Sequence, residues 1–318
     1  MNPELSWFPS TTIELLQQRA HILAQIRTFF TERFYLEVDT PVMAHHGVTD
    51  VYLSNIKAWF RNKPYSLQTS PEYHMKRLLA AGSGPIFQIA RVFRDDELGR
   101  WHNPEFTLLE WYQLGINHHQ LMDEMDLLLQ TIMNCSPMIR KTYKQAFKEA
   151  CDIDPFTASI KDLDELLEQY HLADVLAVDE QDKDQYLFLL MSHVVEPFLG
   201  KQSSPVAVYD FPPSQASLAQ IKDGFAERFE VYYRGVELAN GFHELIDAKA
   251  QAARFEQDLQ MRKQQGLDLP DPDLWLLEAL QQGIPPCSGV ALGIERLLAL
   301  TLEKSSISAV MAFDFSRA

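Results

Sequence analysis

FRDDELGRWHNPEFTLLEWY, residues Phe93 to Tyr112, decides how the rest of this chain is read. An apolar run, Ile86–Phe93, leads into it, and a second, Phe106–Tyr112, closes it. Between them Arg94, Asp95, Asp96, Glu97, Arg100, His102, Asn103 and Glu105 crowd into a polar segment. Two strand-like runs joined by a charged loop predict a hairpin. Loops of this kind, held by a rigid sheet, are where chemistry concentrates. Arg94 at the strand end carries a planar fork suited to phosphate oxygens. Glu105 and Phe106 are placed to read and stack a base. A solvated hairpin with scattered ion pairs is the plain alternative for any charged loop.

Around this stretch, composition sets bounds. The 318 residues are 46% apolar and 23% charged, enough for one large α/β catalytic domain, with two domains possible. The formal charge is −16, from 28 Lys and Arg against 44 Asp and Glu. Such a surface opposes wide contact with nucleic acid or anionic membranes. Three cysteines, Cys135, Cys151 and Cys287, are too scattered for a disulfide framework or a Cys-based zinc site, so a reduced, cytoplasmic setting is expected. No apolar run reaches membrane-spanning length, and the N-terminus does not resemble a signal peptide.

Toward the N-terminus, Thr11 and Glu14 have capping-box spacing and predict a helix to about Arg33. Leu15, Leu16, Ile22, Leu23, Ile26, Phe29 and Phe30 recur along it at helical spacing. A short strand over Phe34–Met43, closed by Pro41, should follow, then strands over Val51–Phe60 and Tyr65–Thr69. Ser70, Pro71 and Glu72 are a cap, a first-turn proline and a dipole-complementing acid ahead of a helix over Tyr73–Ala81. Gly82-Ser83-Gly84 stops that helix and lacks the Lys-Ser/Thr of a phosphate loop.

Beyond the hairpin, His118–Ile132 reads as a helix, and residues 135–200 are mostly helical, with packing faces at Glu165–Tyr170 and Tyr186–Val195. Val206–Asp210 is a strand, and Phe229–Leu238 is another that runs on into Ala239–Leu245. Asn240, Phe242 and Glu244 share one face if that segment is extended, with Glu237 on the opposite parity unless a bulge at Gly241 re-aims it. Two carboxylates facing one pocket call for a cation, and magnesium is the natural oxygen-loving choice. Arg254–Gln265 is a solvated helix. The run Gly289–Arg296 puts glycines at a strand end, where backbone approaches a ligand closely, and an arginine at a helix start.

Taken together these stretches resemble the three motifs of the class II aminoacyl-tRNA synthetases, in order. Phe93–Tyr112 is similar to motif 2 of the lysyl-tRNA synthetases, where F-R-x-E precedes R-H-N-P-E-F and E-x-Y. The first helix and strand resemble motif 1, and Gly289–Arg296 resembles motif 3. S-P-E-Y-H-M-K-R-L-L is similar to their A-P-E-L-Y-L-K-R-L, and E-L-A-N-G-F-H-E-L to their E-I-G-N-G-F-S-E-L. The resemblance implies an α+β fold: an antiparallel sheet flanked by helices, one catalytic domain over residues 1–318, and a homodimer through motif 1. Only about ten residues precede the first helix, so no anticodon-binding domain is expected. With the acidic charge, that disfavours tRNA as acceptor. The pattern resembles the elongation factor P–(R)-β-lysine ligase family, whose members activate the amino acid with ATP and pass it to a lysine side chain of elongation factor P.

The resemblance also implies roles. ATP would meet Arg94, Asp95, Asp96, His102, Asn103, Phe106, Glu237, Leu238, Gly293 and Arg296, with Phe106 and Arg296 about adenine and Arg94 on the α-phosphate. Glu237 and Glu244 would hold magnesium. Ser70, Pro71, Glu72, Tyr112, Asn240, Phe242, Glu244 and Ala291 would form the site for (R)-β-lysine or lysine. Catalysis would rest on Arg94, Glu237, Glu244 and Arg296. Ser70 and Ala291 replace an alanine and a glycine of the synthetases, as in the ligases, whereas Asp96 departs from both. Three other readings stay open: a truncated lysyl-tRNA synthetase acting on tRNA, an adenylating enzyme with a small-molecule amine as acceptor, and a non-catalytic regulatory paralogue. The intact set of Arg94, Glu237, Glu244 and Arg296 argues against the last.

Overall fold

The computed structural model describes residues 7–95, 98–177 and 180–318. The chain forms two compact units, Met1–Met133 with His243–Ala318, and Asn134–Phe242. The first unit opens with α1 (Ile13–Thr31). Its cap is Thr12, whose hydroxyl accepts from the Leu15 N–H at 3.3 Å, one residue later than the Thr11–Glu14 spacing predicts. Thr11 is buried instead and donates to the Ala309 carbonyl. A single strand over 34–43 does not form. Phe34 sits at φ 62°, a left-handed conformation unfavourable for a bulky residue in a strand, and only β1 (Leu36–Glu37) and β2 (Met43–Ala44) remain. Strands β3 (Lys57–Phe60) and β4 (Lys63–Leu67) join β2 in a small antiparallel sheet of order β2-β4-β3. Next come α2 (Glu72–Ala80), β5 (Ile86–Phe93), β6 (Glu105–Leu114) and α3 (His118–Met133). Strands β5 and β6 form the predicted hairpin, in register from Phe93 opposite Glu105 to Ile86 opposite Tyr112.

The second unit contains β7 (Ile139–Thr142), α4 (Tyr143–Cys151), α5 (Ile160–Gln169), α6 (Lys183–Leu190), α7 (Glu196–Leu199), β8 (Val206–Phe211), β9 (Ile221–Lys222), β10 (Phe225–Tyr233) and β11 (Val236–His243). Capping boxes at Thr142 with Gln145 and Ser159 with Asp162 start α4 and α5. The expected packing faces are buried: Leu166, Leu167, Tyr186, Leu187, Leu190 and Val195 join a core with Tyr143, Phe147, Val208 and Phe211. Its strands run β11-β10-β8-β7, with β9 beside β10; β7 and β8 are parallel and the other pairs antiparallel.

The chain then returns to the first unit as α8 (Ala248–Gln264), α9 (Leu274–Gln282), β12 (Cys287–Gly293) and α10 (Ile294–Thr301). Helix α8 is less solvated than expected, because the Arg262 guanidinium is buried, donating to the Asp50 carbonyl at 2.7 Å and the Leu53 carbonyl at 3.2 Å. In this unit the sheet runs β1-β5-β6-β12, antiparallel except for β1 on β5. Alternation gives it two faces. One carries Phe87 and Trp111, against which Phe30 of α1 packs at ring-centroid distances of 4.8 and 5.1 Å. Phe29 and Phe30, apolar positions of the helix that resembles the dimer-forming motif 1, are thus used inside the protein. The opposite face carries Ile86 and Tyr112, covered by Met75 and Leu79 of α2, Phe255 of α8, and Leu276 and Leu280 of α9. The architecture is the expected α+β arrangement, an antiparallel-dominated sheet flanked by helices. Among the described residues no helix is long and apolar enough to cross a membrane.

Candidate active site

The second face of the first unit's sheet holds a buried polar cluster. Glu110 and Tyr112 are i, i+2 neighbours on β6, so both point to this face, and the Tyr112 hydroxyl donates to Glu110 Oε1 at 2.7 Å. Ser70 donates to Glu110 Oε2 at 2.7 Å while accepting from the Glu72 N–H at 3.0 Å, which ties the α2 start to the strand. The helix cap is therefore Pro71, with no side-chain cap, rather than Ser70 with Pro71 at the first helical position; the Ser70 hydroxyl instead accepts from the Glu72 N–H and is directed to a carboxylate that the sequence did not single out. From α2, Lys76 reaches Glu72 Oε1 and Glu244 Oε2, each at 2.6 Å. Lys76 is 2% exposed and Glu244 1%. Pro71 stands at the helix cap and Ala291 lies directly across from Glu110 on β12.

Two carboxylates therefore hold one buried ammonium, with a third, Glu110, close enough to act on it by charge. Burial, with the Glu72 charge adding to it, raises the Glu110 carboxyl to about 7. Burial likewise raises Glu244 to about 8 even though the Lys76 ammonium opposes it. Burial also pushes Lys76 down, but Glu244 and Glu72 outweigh that and hold it above the ordinary lysine value. Burial and the neighbouring Glu110 lift Tyr112 well above a normal phenol, so it stays a donor. A further polar group joins this face: Gln88, opposite Glu110, is 3% exposed, and its carbonyl oxygen has no hydrogen-bond partner in the protein. A buried orphan acceptor costs about 1–3 kcal/mol unless a ligand or water meets it.

The residues of the first unit expected to meet the nucleotide lie around the hairpin end. The Arg94 N–H closes the loop onto the Pro104 carbonyl at 3.0 Å, and its guanidinium carbon lies 5.1 Å from the Phe106 ring centre. Arg296 meets the Trp101 carbonyl at 3.1 Å and His102 Nε2 at 2.8 Å. Gly293 caps α10 just ahead of it, and a methyl there would meet only the Arg296 side chain at 3.7 Å, so the protein's own packing does not demand glycine. Asn103 is buried, donating to the Glu105 carbonyl at 2.6 Å and accepting from the Phe315 N–H at 3.0 Å; both ends of its amide brace the loop. Asp95 donates its N–H to the Ser54 carbonyl at 3.1 Å, and Asp96 lies outside the described residues. Glu295, part of the motif 3 run but given no role in the sequence reading, is 2% exposed and accepts from Thr107 N, Thr107 Oγ1 and Arg19, each at 2.8 Å. It pins the start of α10 to β6 beside Phe106.

In the second unit the expected single strand from Phe229 is a hairpin. Arg234 at φ 51° and Gly235 at φ 74° form a tight turn between β10 and β11, a geometry glycine makes accessible. The bulge anticipated at Gly241 falls at Leu238 instead: Val231 faces Ala239, but Tyr232 faces Glu237. That extra residue moves Glu237 onto the face of Asn240 and Phe242, which oppose Glu230 and Arg228. Arg228 donates to Asn240 Oδ1 at 3.2 Å, pairs with Glu230 and lies 5.9 Å from the Phe242 ring centre. Burial raises the Glu230 carboxyl, Arg228 pulls it back, and the charge of Glu237 raises it again. Arg228 and Glu230 were not legible as site residues, because their strand register depends on the missed turn. Leu238 itself is buried.

A family model described as tRNA synthetases class II (D, K and N) matches residues 5–317. The chain belongs to that family. Within it, the chain is 50% identical to the elongation factor P–(R)-β-lysine ligase of Pasteurella multocida, with 98% of each protein aligned. It is 49% identical to the enzymes of the same name from Vibrio cholerae, over 98% of each, and Salmonella gallinarum, over 100% of each.

Proposed function

We infer that this chain is a ligase that activates (R)-β-lysine with ATP as an aminoacyl adenylate and transfers it to a lysine ε-amine of elongation factor P. The observation that carries the reading is the cluster of Glu72, Glu110 and Glu244 with Lys76, three acids and one cation, in which burial raises Glu110 to about 7 and Glu244 to about 8 so that both call for a further positive charge. A substrate with two ammonium groups balances that charge; a monoamino acid does not. The substrate carboxylate attacks the α-phosphorus and pyrophosphate leaves. The acceptor amine then attacks the adenylate carbonyl, forming an amide as AMP departs and the amine loses its proton. Positioning and charge neutralisation supply the rate, with no protein nucleophile. Arg94 and Arg296 present cationic forks for the nucleotide, and Phe106 a ring for its base. Magnesium, when bound, neutralises phosphate charge. The resemblance implies Glu237 and Glu244 as its ligands; of these, Glu237 offers carboxylate oxygens of the kind a hard cation suits, and its charge raises the Glu230 carboxyl.

The enzyme is read as cytoplasmic, as acting without stable tRNA binding given its −16 charge, and as a homodimer. For the dimer, Phe34 at 90% exposure, with Leu36, Val42 and Met43 also exposed, supplies apolar surface in the motif 1 region. Light scattering at working concentration should return twice the chain mass; a monomer would count against the dimer. Pyrophosphate exchange should require magnesium and a diamino acid, and exchange independent of the amino acid would overturn the activity.

Two further results are expected. Receiving ammonium groups requires ionised Glu110 and Glu244, so the KM for the amino acid should fall as pH rises from about 6 to 8.5, by up to about tenfold per pH unit for each group. A flat KM over that range would contradict the role of these two groups. Ala291→Gly removes a methyl opposite Glu110. It should improve α-lysine relative to (R)-β-lysine by roughly tenfold or more, since β-lysine has an unsubstituted methylene where α-lysine carries its amine. An unchanged ratio in exchange kinetics would remove position 291 as a selector.

A further inference from the structure

We propose that Gln88 is a specificity-determining residue of the amino-acid pocket: its side-chain carbonyl accepts a hydrogen bond from the substrate's distal ammonium, beside Glu110. The assignment rests on reading this pocket as the diamino-acid site and adds a residue to it. Gln88 on β5 lies directly opposite Glu110 on β6, so the two side chains rise from the same face with Cβ atoms about 4.5–5.5 Å apart. Gln88 is 3% exposed, and its Oε1 atom is buried with no hydrogen-bond partner among the described residues. The Glu110 carboxylate is held in place, Oε1 accepting from Tyr112 and Oε2 from Ser70, each at 2.7 Å. Each of its oxygens keeps a second lone pair, and an ammonium carries three donors, so one nitrogen can serve Glu110 and Gln88 together.

The rest of the face defines what else such a ligand carries. On β5 the same-face neighbours of Gln88 are Ile86 and Ala90, both buried. Beyond it an apolar floor continues, Ala90, Val92 and Leu108 clustering with Phe106 and Ala291. That floor ends at Phe106, where the Arg94 guanidinium carbon lies 5.1 Å from the ring centre. Six residues of extended chain, roughly 20 Å, separate Gln88 from Arg94. The span accommodates the reach of both side chains with a carboxylate at the arginine end, a short methylene stem over the floor and an ammonium at the glutamine end. The ammonium at Gln88 is therefore the one farther from the carboxylate. Folding gains nothing from glutamine here, since an apolar residue of the same length would fill the site without an unpaired buried acceptor. A glutamate would accept equally well but would add a fourth acid to Glu72, Glu110 and Glu244. Glutamine adds the acceptor without the charge.

The test measures dissociation constants, by direct and displacement calorimetric titration, for (R)-β-lysine and for the same molecule without its distal amine. Wild type, Gln88→Met and Gln88→Glu are compared. Gln88→Met should weaken (R)-β-lysine about tenfold to a hundredfold, the range for a lost hydrogen bond to a charged group, and change the analogue by less than about threefold. The ligand-free melting temperature of Gln88→Met should equal or exceed that of wild type, because an unpaired buried acceptor is removed. The KM for ATP in exchange assays should stay within about twofold. Gln88→Glu keeps an acceptor and should keep at least the wild-type preference for the diamine, so it decides the matter if the methionine variant does not fold. Equal weakening of both ligands by Gln88→Met, or an unchanged preference, overturns the proposal, as does a Gln88→Glu protein that loses the preference. A wild type that does not distinguish the diamine from the analogue refutes the diamino-acid reading itself, a distinct result.

Discussion

Replacing Glu244 by Gln is expected to lower (R)-β-lysine-dependent pyrophosphate exchange about 10²–10³-fold. Truncating the charge of one member of a buried, hydrogen-bonded ion pair costs on the order of 2–5 kcal/mol. Glu244 is such a member, 1% exposed and 2.6 Å from Lys76. The amide keeps the shape but loses the anion, so the substrate ammonium meets a weaker acceptor and Lys76 loses half its compensation. The pocket's own titration separates this loss from unfolding. Glu110 and Glu244 sit above their ordinary 4.5, at about 7 and about 8, so the folded protein binds protons that the unfolded chain does not. Stability from these groups is full below about pH 4.5 and is lost as pH rises through their folded values. Glu244→Gln removes one such group and should flatten that decline, giving a melting temperature less pH-dependent than wild type between about pH 5 and 8. Exchange within about threefold of wild type would contradict the assignment of Glu244.

Gly289→Ala is expected to be strongly damaging to both stability and the site. The added carbon would stand 2.3 and 2.4 Å from two ring carbons of Tyr112 and 2.7 Å from Glu244 Oε1. Tyr112 is fully packed between strand and helices, so the ring or strand β12 must shift. Overpacking of this kind costs about 1–3 kcal/mol or more, and a chain of this size loses roughly 2–4 °C of melting temperature per kcal/mol. The same shift breaks the Tyr112–Glu110 bond, so the amino-acid KM should rise by about 10²-fold while ATP binding changes little. Normal KM values with a normal melting temperature would show that the ring has room the structure does not display.

How much of this was legible follows from where each signal resides. The β5–β6 hairpin, the α2 start and the β12–α10 junction announced themselves because turn chemistry, caps and glycines are local. The β10–β11 turn did not: Arg234-Gly235 lies inside a continuous run of apolar and aromatic residues, so one long strand looked equally good. Missing it hid Glu230 and Arg228, and put the bulge at Gly241 rather than Leu238. Glu110 was recoverable, since Glu-x-Tyr on a strand places both side chains on one face. Lys76 was not, because a Lys-Arg pair in a helix reads as solvent-facing and only the tertiary approach of Glu244 makes it internal. Phe29 and Phe30 showed that a residue is apolar at the right spacing without showing whether it meets a sheet or a second subunit.

The central claim is transfer of (R)-β-lysine to a protein amine. Its most direct test is the intact mass of purified elongation factor P after incubation with this protein, ATP, magnesium and (R)-β-lysine, beside a parallel reaction with lysine tRNA. The account predicts elongation factor P heavier by one lysyl unit, mapped by fragmentation to a single lysine, with the tRNA unlabelled. Unmodified elongation factor P, or efficient charging of the tRNA, would contradict it.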